Sequence, residues 1–363
     1  SGLYIKNDLT VDGNISLKKF NDEFIVNTHT TNYDLIVAED LSVNGNLLIA
    51  GDTSLNNDLY VKELLLVDGD VSLNANLSVS NDATMNNRLF VSGDASLNND
   101  LYVKETLKVD NDATLGTRLF VTGDASLNND LYVKEMLHVD GDASLNANLS
   151  VSNDATLNNR LFVAGDASLN NDLYVKETLK VDNDATLGTR LFVTGDASLN
   201  NDLYVKEMLH VDGDASLNAN LSVSNDATLN NRLFVSGDAS LNNDLYVKET
   251  LKVDNDTTLA TRLFVTGDAS LNNDLYVKEM LLVDGDASLN ANLKVANDAT
   301  LNKRLFVSGD ASLNNDLYVK ETLKVDNDTT LATRLFVSGD ASLNNDLYVK
   351  EMLLVDGDAS LNA

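Results

Sequence analysis

Apolar residues recur two apart along almost the whole chain, and each pair returns six residues on. Between residues 95 and 121 the pairs are Ala95/Leu97, Leu101/Val103, Leu107/Val109, Ala113/Leu115 and Leu119/Val121. A helix brings together residues three or four apart, whereas side chains two apart share a face only in a strand. Each hexad therefore predicts a strand of about three or four residues and a bend. The fifth position of the hexad is often Gly or Asn, as at Gly93, Asn99, Asn111 and Gly123. These residue types suit a bend that needs left-handed backbone.

From Leu35 to Leu361 the phase never slips. Leu3/Ile5, Leu9/Val11 and Ile15/Leu17 follow the same grammar two residues out of phase. The chain thus divides into a short hexad segment, 1–17, an irregular loop or joint, 18–34, and a continuous hexad tract, 35–363. Within the tract GDASLNNDLYVKE begins at 93, 123, 165, 195, 237, 267, 309 and 339, so the long period is twelve hexads.

Strands this short cannot bury an apolar face alone, but stacked in a coil they can. The expected fold is all-β, a β-solenoid with six residues per side. Three sides make a turn of eighteen, and four such turns make one long period; turns of two or four hexads divide it as well. Strands about 4.8 Å apart predict a rod on the order of 90 Å long.

The six-residue period resembles that of the left-handed hexapeptide-repeat family. Its small residue two before the aliphatic one is matched by ASL but not by LYV, LKV or LFV. The LxVxGD rhythm is similar to that of bactofilins, which implies a right-handed coil. GDASLNNDLYV and NDATLNNRLFVSGD resemble the long hexad tracts in fibre proteins of marine viruses and phages. That resemblance implies a fibre with an extracellular, cell-surface or virion-surface location. It also keeps an intertwined three-chain β-helix open as a competing architecture.

Composition narrows the partners. Acidic side chains exceed basic ones by a formal net charge of -30, and the chain has no Pro, Cys or Trp. Such a surface repels a phosphate backbone and an anionic membrane, so no nucleic-acid partner is expected. No apolar run reaches the length of a membrane span, so membrane insertion is not expected. Copies of the chain stay apart unless cations or specific contacts intervene.

The repeat tests candidate chemistry against itself. His138 and His210 occupy equivalent positions, where the next copies have Leu282 and Leu354. A general base does not become leucine in half its copies. His29 lies in the irregular segment without an evident Cys or carboxylate partner. No phosphate loop, nucleophile elbow or Cys/His metal spacing is present, so neither an enzyme nor a bound cofactor is expected. The Asp pairs of VDNDAT and VDGDAS bends, stacked turn on turn, would offer oxygen ligands for loosely held Ca²⁺. Mixed residues at the second hexad position, rather than ranks of Thr, argue against ice binding.

With three hexads per turn the second positions of one face read Tyr102, Phe120, His138, Thr156, then Tyr174, Phe192, His210, Thr228. Tyr246, Phe264, Tyr318 and Phe336 continue the series. Another face reads Ser96, Thr114, Tyr132, Ser150 and the third Phe90, Lys108, Ser126, Ser144. An exposed apolar stripe marks a contact surface, and stacked aromatics also steady neighbouring turns. The stripe is the expected assembly surface; Phe20, Phe24, Ile25 and Tyr33 are the expected docking residues of the 18–34 loop. The function read from the sequence is structural. The chain is a rigid filament subunit whose partners are copies of itself, in a filament or homotrimer. The alternative is a fibre or adhesin shaft whose tip meets a surface receptor or glycan.

Overall fold

The computed structural model describes residues 41–362. The first two segments, 1–17 and 18–34, lie outside that range, and so do Phe20, Phe24, Ile25, Tyr33 and His29.

Every hexad from 41 onward forms one strand, from β1 (Leu41–Val43) to β54 (Ala359–Leu361), and no helix occurs among the described residues. Most strands have three residues. Two point inward and one outward: Leu101 and Val103 are 1% and 0% exposed, while Tyr102 between them is 39% exposed. Consecutive strands lie on different faces, and each strand pairs in parallel with the third strand after it, as Leu101↔Leu119 and Val103↔Val121 do. The turn is therefore three hexads, and three sheets of 18 strands result. Seventeen spacings of about 4.8 Å separate the end strands of one sheet by about 80 Å.

One chain closes every turn. The intertwined three-chain arrangement is therefore not the one found, because the strand above Leu101–Val103 is Leu119–Val121 of the same chain. The backbone explains why the stack extends. In each rung the first strand residue donates to the turn above and the residue after the strand donates to the turn below. Leu101 N–H reaches Arg118 O at 3.0 Å, and Lys104 N–H reaches Met85 O at 2.9 Å. Buried polar groups of the backbone are thus paired between turns rather than within them.

The core is a single column of Leu, Val and Ala along the axis. Burying one such Leu or Val is worth about 1.5–3 kcal/mol, and every hexad contributes two inward residues. Thr257 and Thr329 replace Ala113 and Ala185 at equivalent inward sites. Both threonines are buried, and neither Oγ1 finds a hydrogen-bond partner.

The bends differ from the expectation in one respect. None of the described glycines takes a left-handed φ. Glycine is required instead by close approach of successive turns. A Cβ on Gly123 would run into the carbonyl oxygen of Glu105. Asp and Asn side chains complete the bends by accepting from the backbone one turn on. Asp58 Oδ1 takes Asn76 N–H, Asn76 Oδ1 takes Asp94 N–H, and Asp94 Oδ1 takes Asp112 N–H. The same column continues to Asp346 N–H on Asp328. This is why the corner before each Ser/Thr strand carries Asp throughout, with Asn at every fourth turn.

Candidate assembly surface

The face carrying β11 (Leu101–Val103), β14 (Leu119–Val121), β17 (Leu137–Val139) and β20 (Ala155–Leu157) has the most apolar exterior. Its central column runs Tyr102, Phe120, His138, Thr156 in direct register. Tyr174, Phe192, His210 and Thr228 follow. Tyr246, Phe264, Leu282 and Thr300 come next, then Tyr318, Phe336 and Leu354. Tyrosine is the most exposed of the repeated aromatics, with Tyr102, Tyr174, Tyr246 and Tyr318 each near two-fifths accessible.

The rings do not form an unbroken stack. Among the described residues, ring-to-ring contact occurs at Phe120–His138 and Phe192–His210, each 6.1 Å between centroids and tilted by 50°. Each tyrosine leans instead across to the next turn. Tyr102 Oη lies 3.4 Å from Thr122 Oγ1, and Tyr174 Oη lies 3.4 Å from Thr194 Oγ1.

Two polar edges border the column. The edge before the strands reads Asp82, Asp100, Arg118, Met136, Asp154. The edge after them reads Asn86, Lys104, Thr122, Asp140, Asn158. Arg118 carries two loads. Its guanidinium lies 5.8 Å from the Phe120 ring centroid, over the ring, and its Nε and Nη2 donate to Asp100 one turn below. Thr117 Oγ1 donates to the same carboxylate. At Asp100 burial pushes the carboxyl up, but the hydrogen bonds from Arg118 and Thr117 outweigh it and hold the group below its ordinary range.

The pairing is legible in the sequence only when the chain is set in rows of three hexads, which puts every Arg directly above an Asp. The motif recurs at Arg190–Asp172, Arg262–Asp244 and Arg334–Asp316 on this face. It recurs at Arg88–Asp70, Arg160–Asp142, Arg232–Asp214 and Arg304–Asp286 on the Phe/Lys face. All eight aspartates are held below the usual carboxylate range, with hydrogen bonds from the arginine a cause each time.

His138 is half-buried, with Nε2 2.9 Å from Asp140 Oδ1, and Asn158 Nδ2 donates to the same oxygen at 2.6 Å. The Asp residues of this VDGDAS bend are therefore engaged: Asp140 by His138 and Asn158, Asp142 by Arg160. Among the described residues no group of three or more His, Cys, Asp or Glu side chains is arranged to hold a metal ion.

Two sets of repeated lysines differ in their partners. On the Phe/Lys face Lys108 Nζ lies 3.2 Å from Asp110 Oδ1, and Lys180, Lys252 and Lys324 repeat the pair. Lys104, Lys176, Lys248 and Lys320, on the edge of the aromatic face, make no ion pair within the described residues. One copy departs from the repeat on the Ser/Thr face, where Lys294 and Ala296 stand in place of Ser222 and Ser224. Tyr204 Oη lies 3.3 Å from Ser224 Oγ, but Ala296 offers Tyr276 no such oxygen. Lys294 Nζ lies 5.5 Å over the Tyr276 ring instead.

No protein-family model matches the chain, and no curated protein sequence matches it.

Proposed function

We propose that this protein is a structural rod, the subunit of a filament or fibre assembled from copies of itself. The observation that carries the reading is repetition at the surface. Whatever the rod offers at Tyr102 it offers again at Tyr174, Tyr246 and Tyr318, on strands with the same neighbours. An enzyme or receptor needs one well-shaped site, whereas a lattice needs the same contact at a regular pitch. Four turns at about 4.8 Å set that pitch near about 19 Å. The resemblance to the hexad tracts of viral and phage fibre proteins supports the same reading, with the rod working outside a cell or on a virion.

The mechanism is mechanical. Bending the rod would open inter-turn backbone bonds on one side and compress the core column on the other, so the stack resists bending along its whole length. Electron microscopy of the purified full-length protein tests the reading. Straight rods of about 80 Å or more, joined in filaments or bundles, are expected. Globular lobes would refute it.

A further inference from the structure

The aromatic face is fitted for a second copy of the chain, and its edge charges specify how the copies meet. We infer that two rods pair through this face side by side, parallel and in register, about a twofold axis along the rods. The inference rests on the structural reading above.

The face combines an apolar column with an unused cation. Tyr102 and Met136 are 39% and 37% exposed, and both positions recur with the long repeat. Lys104 flanks Tyr102 without an ion pair, between Asn86 below and Thr122 above. On the opposite edge Asp82 and Asp100 stand on consecutive turns with one arginine, Arg118, engaged by Asp100. Each four-turn unit therefore carries more acid than base on one edge and an unpaired base on the other.

A twofold axis parallel to the rods sets the edge before the strands against the edge after them, level by level. Asp100 then faces Lys104 of the second copy, Arg118 faces Thr122, Met136 faces Asp140, and Asp154 faces Asn158. Lysine meets acid on both sides of the seam, and no like charges meet. Sliding the parallel copies by one turn puts Asp against Asp on one edge, and sliding by two puts Asp100 against Asp140. Turning one rod end for end sets each edge against itself. Three of its four registers then oppose aspartates; the fourth sets Asp100 against Arg118, two groups already paired within each rod, and leaves Lys104 facing Thr122. Like charges placed opposite one another in an interface select against a register more strongly than rim pairs favour one.

The other faces fit less well. The Phe/Lys face has its lysines already paired with Asp110 and its equivalents. The Ser/Thr face carries one aromatic in four turns, Tyr132 beside Ser96, Thr114 and Ser150, and so offers less apolar surface than Tyr102, Phe120 and His138 do.

The absence of cysteine from the chain makes the orientation measurable. Thr84 and Thr300 lie in the central column near opposite ends of the rod. Full-length Thr84→Cys rods treated with a short bismaleimide should crosslink to one another. A mixture of Thr84→Cys and Thr300→Cys rods should give no mixed dimer. Replacing Lys104, Lys176, Lys248 and Lys320 together by Glu should weaken the dimer by roughly tenfold or more in sedimentation analysis. Mixed 84–300 dimers, or an unchanged affinity of the Lys→Glu rods, would overturn the parallel in-register arrangement. Straight rods that join only end to end would overturn the pairing while leaving the structural reading in place; rods that stay monomeric, or lobed particles, would remove both.

Discussion

Arg118 stands one turn above Asp100 and grips its carboxylate with two nitrogens, Nε at 3.1 Å and Nη2 at 2.6 Å. The same arginine covers the Phe120 ring beside it. Charge, ring and backbone register are thus tied together at one point, and the arrangement returns at Arg190, Arg262 and Arg334.

The pairing gives the rod an acid limit. A carboxylate whose folded pKa is depressed contributes stability that is complete above its unfolded pKa, near about 3.9 for Asp, and that is lost as pH falls through the folded pKa. Urea midpoints should therefore fall as pH drops below about 4. A rod with Arg118, Arg190, Arg262 and Arg334 changed to Gln should be less stable at neutral pH and lose less on acidification. Parallel pH curves for the two proteins would show that the arginines do not couple to the titration.

Tyrosine at the centre of the aromatic face is expected to serve contact between rods more than folding. Tyr102, Tyr174, Tyr246 and Tyr318 point outward, away from the core column. Changing all four to Ser should leave the β circular dichroism and the rod shape intact and abolish association in light scattering. Association that persisted unaltered would make them packing devices only.

Thr257 buries a hydroxyl without a partner where two earlier copies have Ala113 and Ala185. A buried unpaired hydroxyl costs on the order of 1–3 kcal/mol. Thr257→Val keeps the shape and removes the cost, so it should raise the urea midpoint, and Thr257→Val with Thr329→Val should raise it further. A lowered midpoint would mean that the hydroxyl is satisfied in solution.

Glycine at the bends should prove irreplaceable only where turns approach closely. Gly123→Ala must push its Cβ away from Glu105 O, and overpacking of this kind costs about 1–3 kcal/mol. Gly51→Ala has nothing within 4 Å of the added atom and should be neutral. Equal effects in thermal melts would place the glycine requirement elsewhere.

Much of this rod can be read without coordinates. Leu101 and Val103 point inward and Tyr102 outward because alternation is a local property of extended backbone, legible in any three letters of a hexad. The order Tyr102, Phe120, His138, Thr156 follows as soon as a turn of three hexads is assumed. The long repeat admits turns of two or four hexads as well, and nothing local chooses among them. The choice lies in how many sides enclose a column that Leu, Val and Ala fill without a void, which is a property of the packed turn. Everything that joins one turn to the next waits on that offset. It sets Arg118 above Asp100, lays Asn76 in the ladder between Asp58 and Asp94, and brings Gly123 against the carbonyl of Glu105. Those partners are three hexads apart in the chain and one strand spacing apart in space, so their chemistry exists only once the coil has closed.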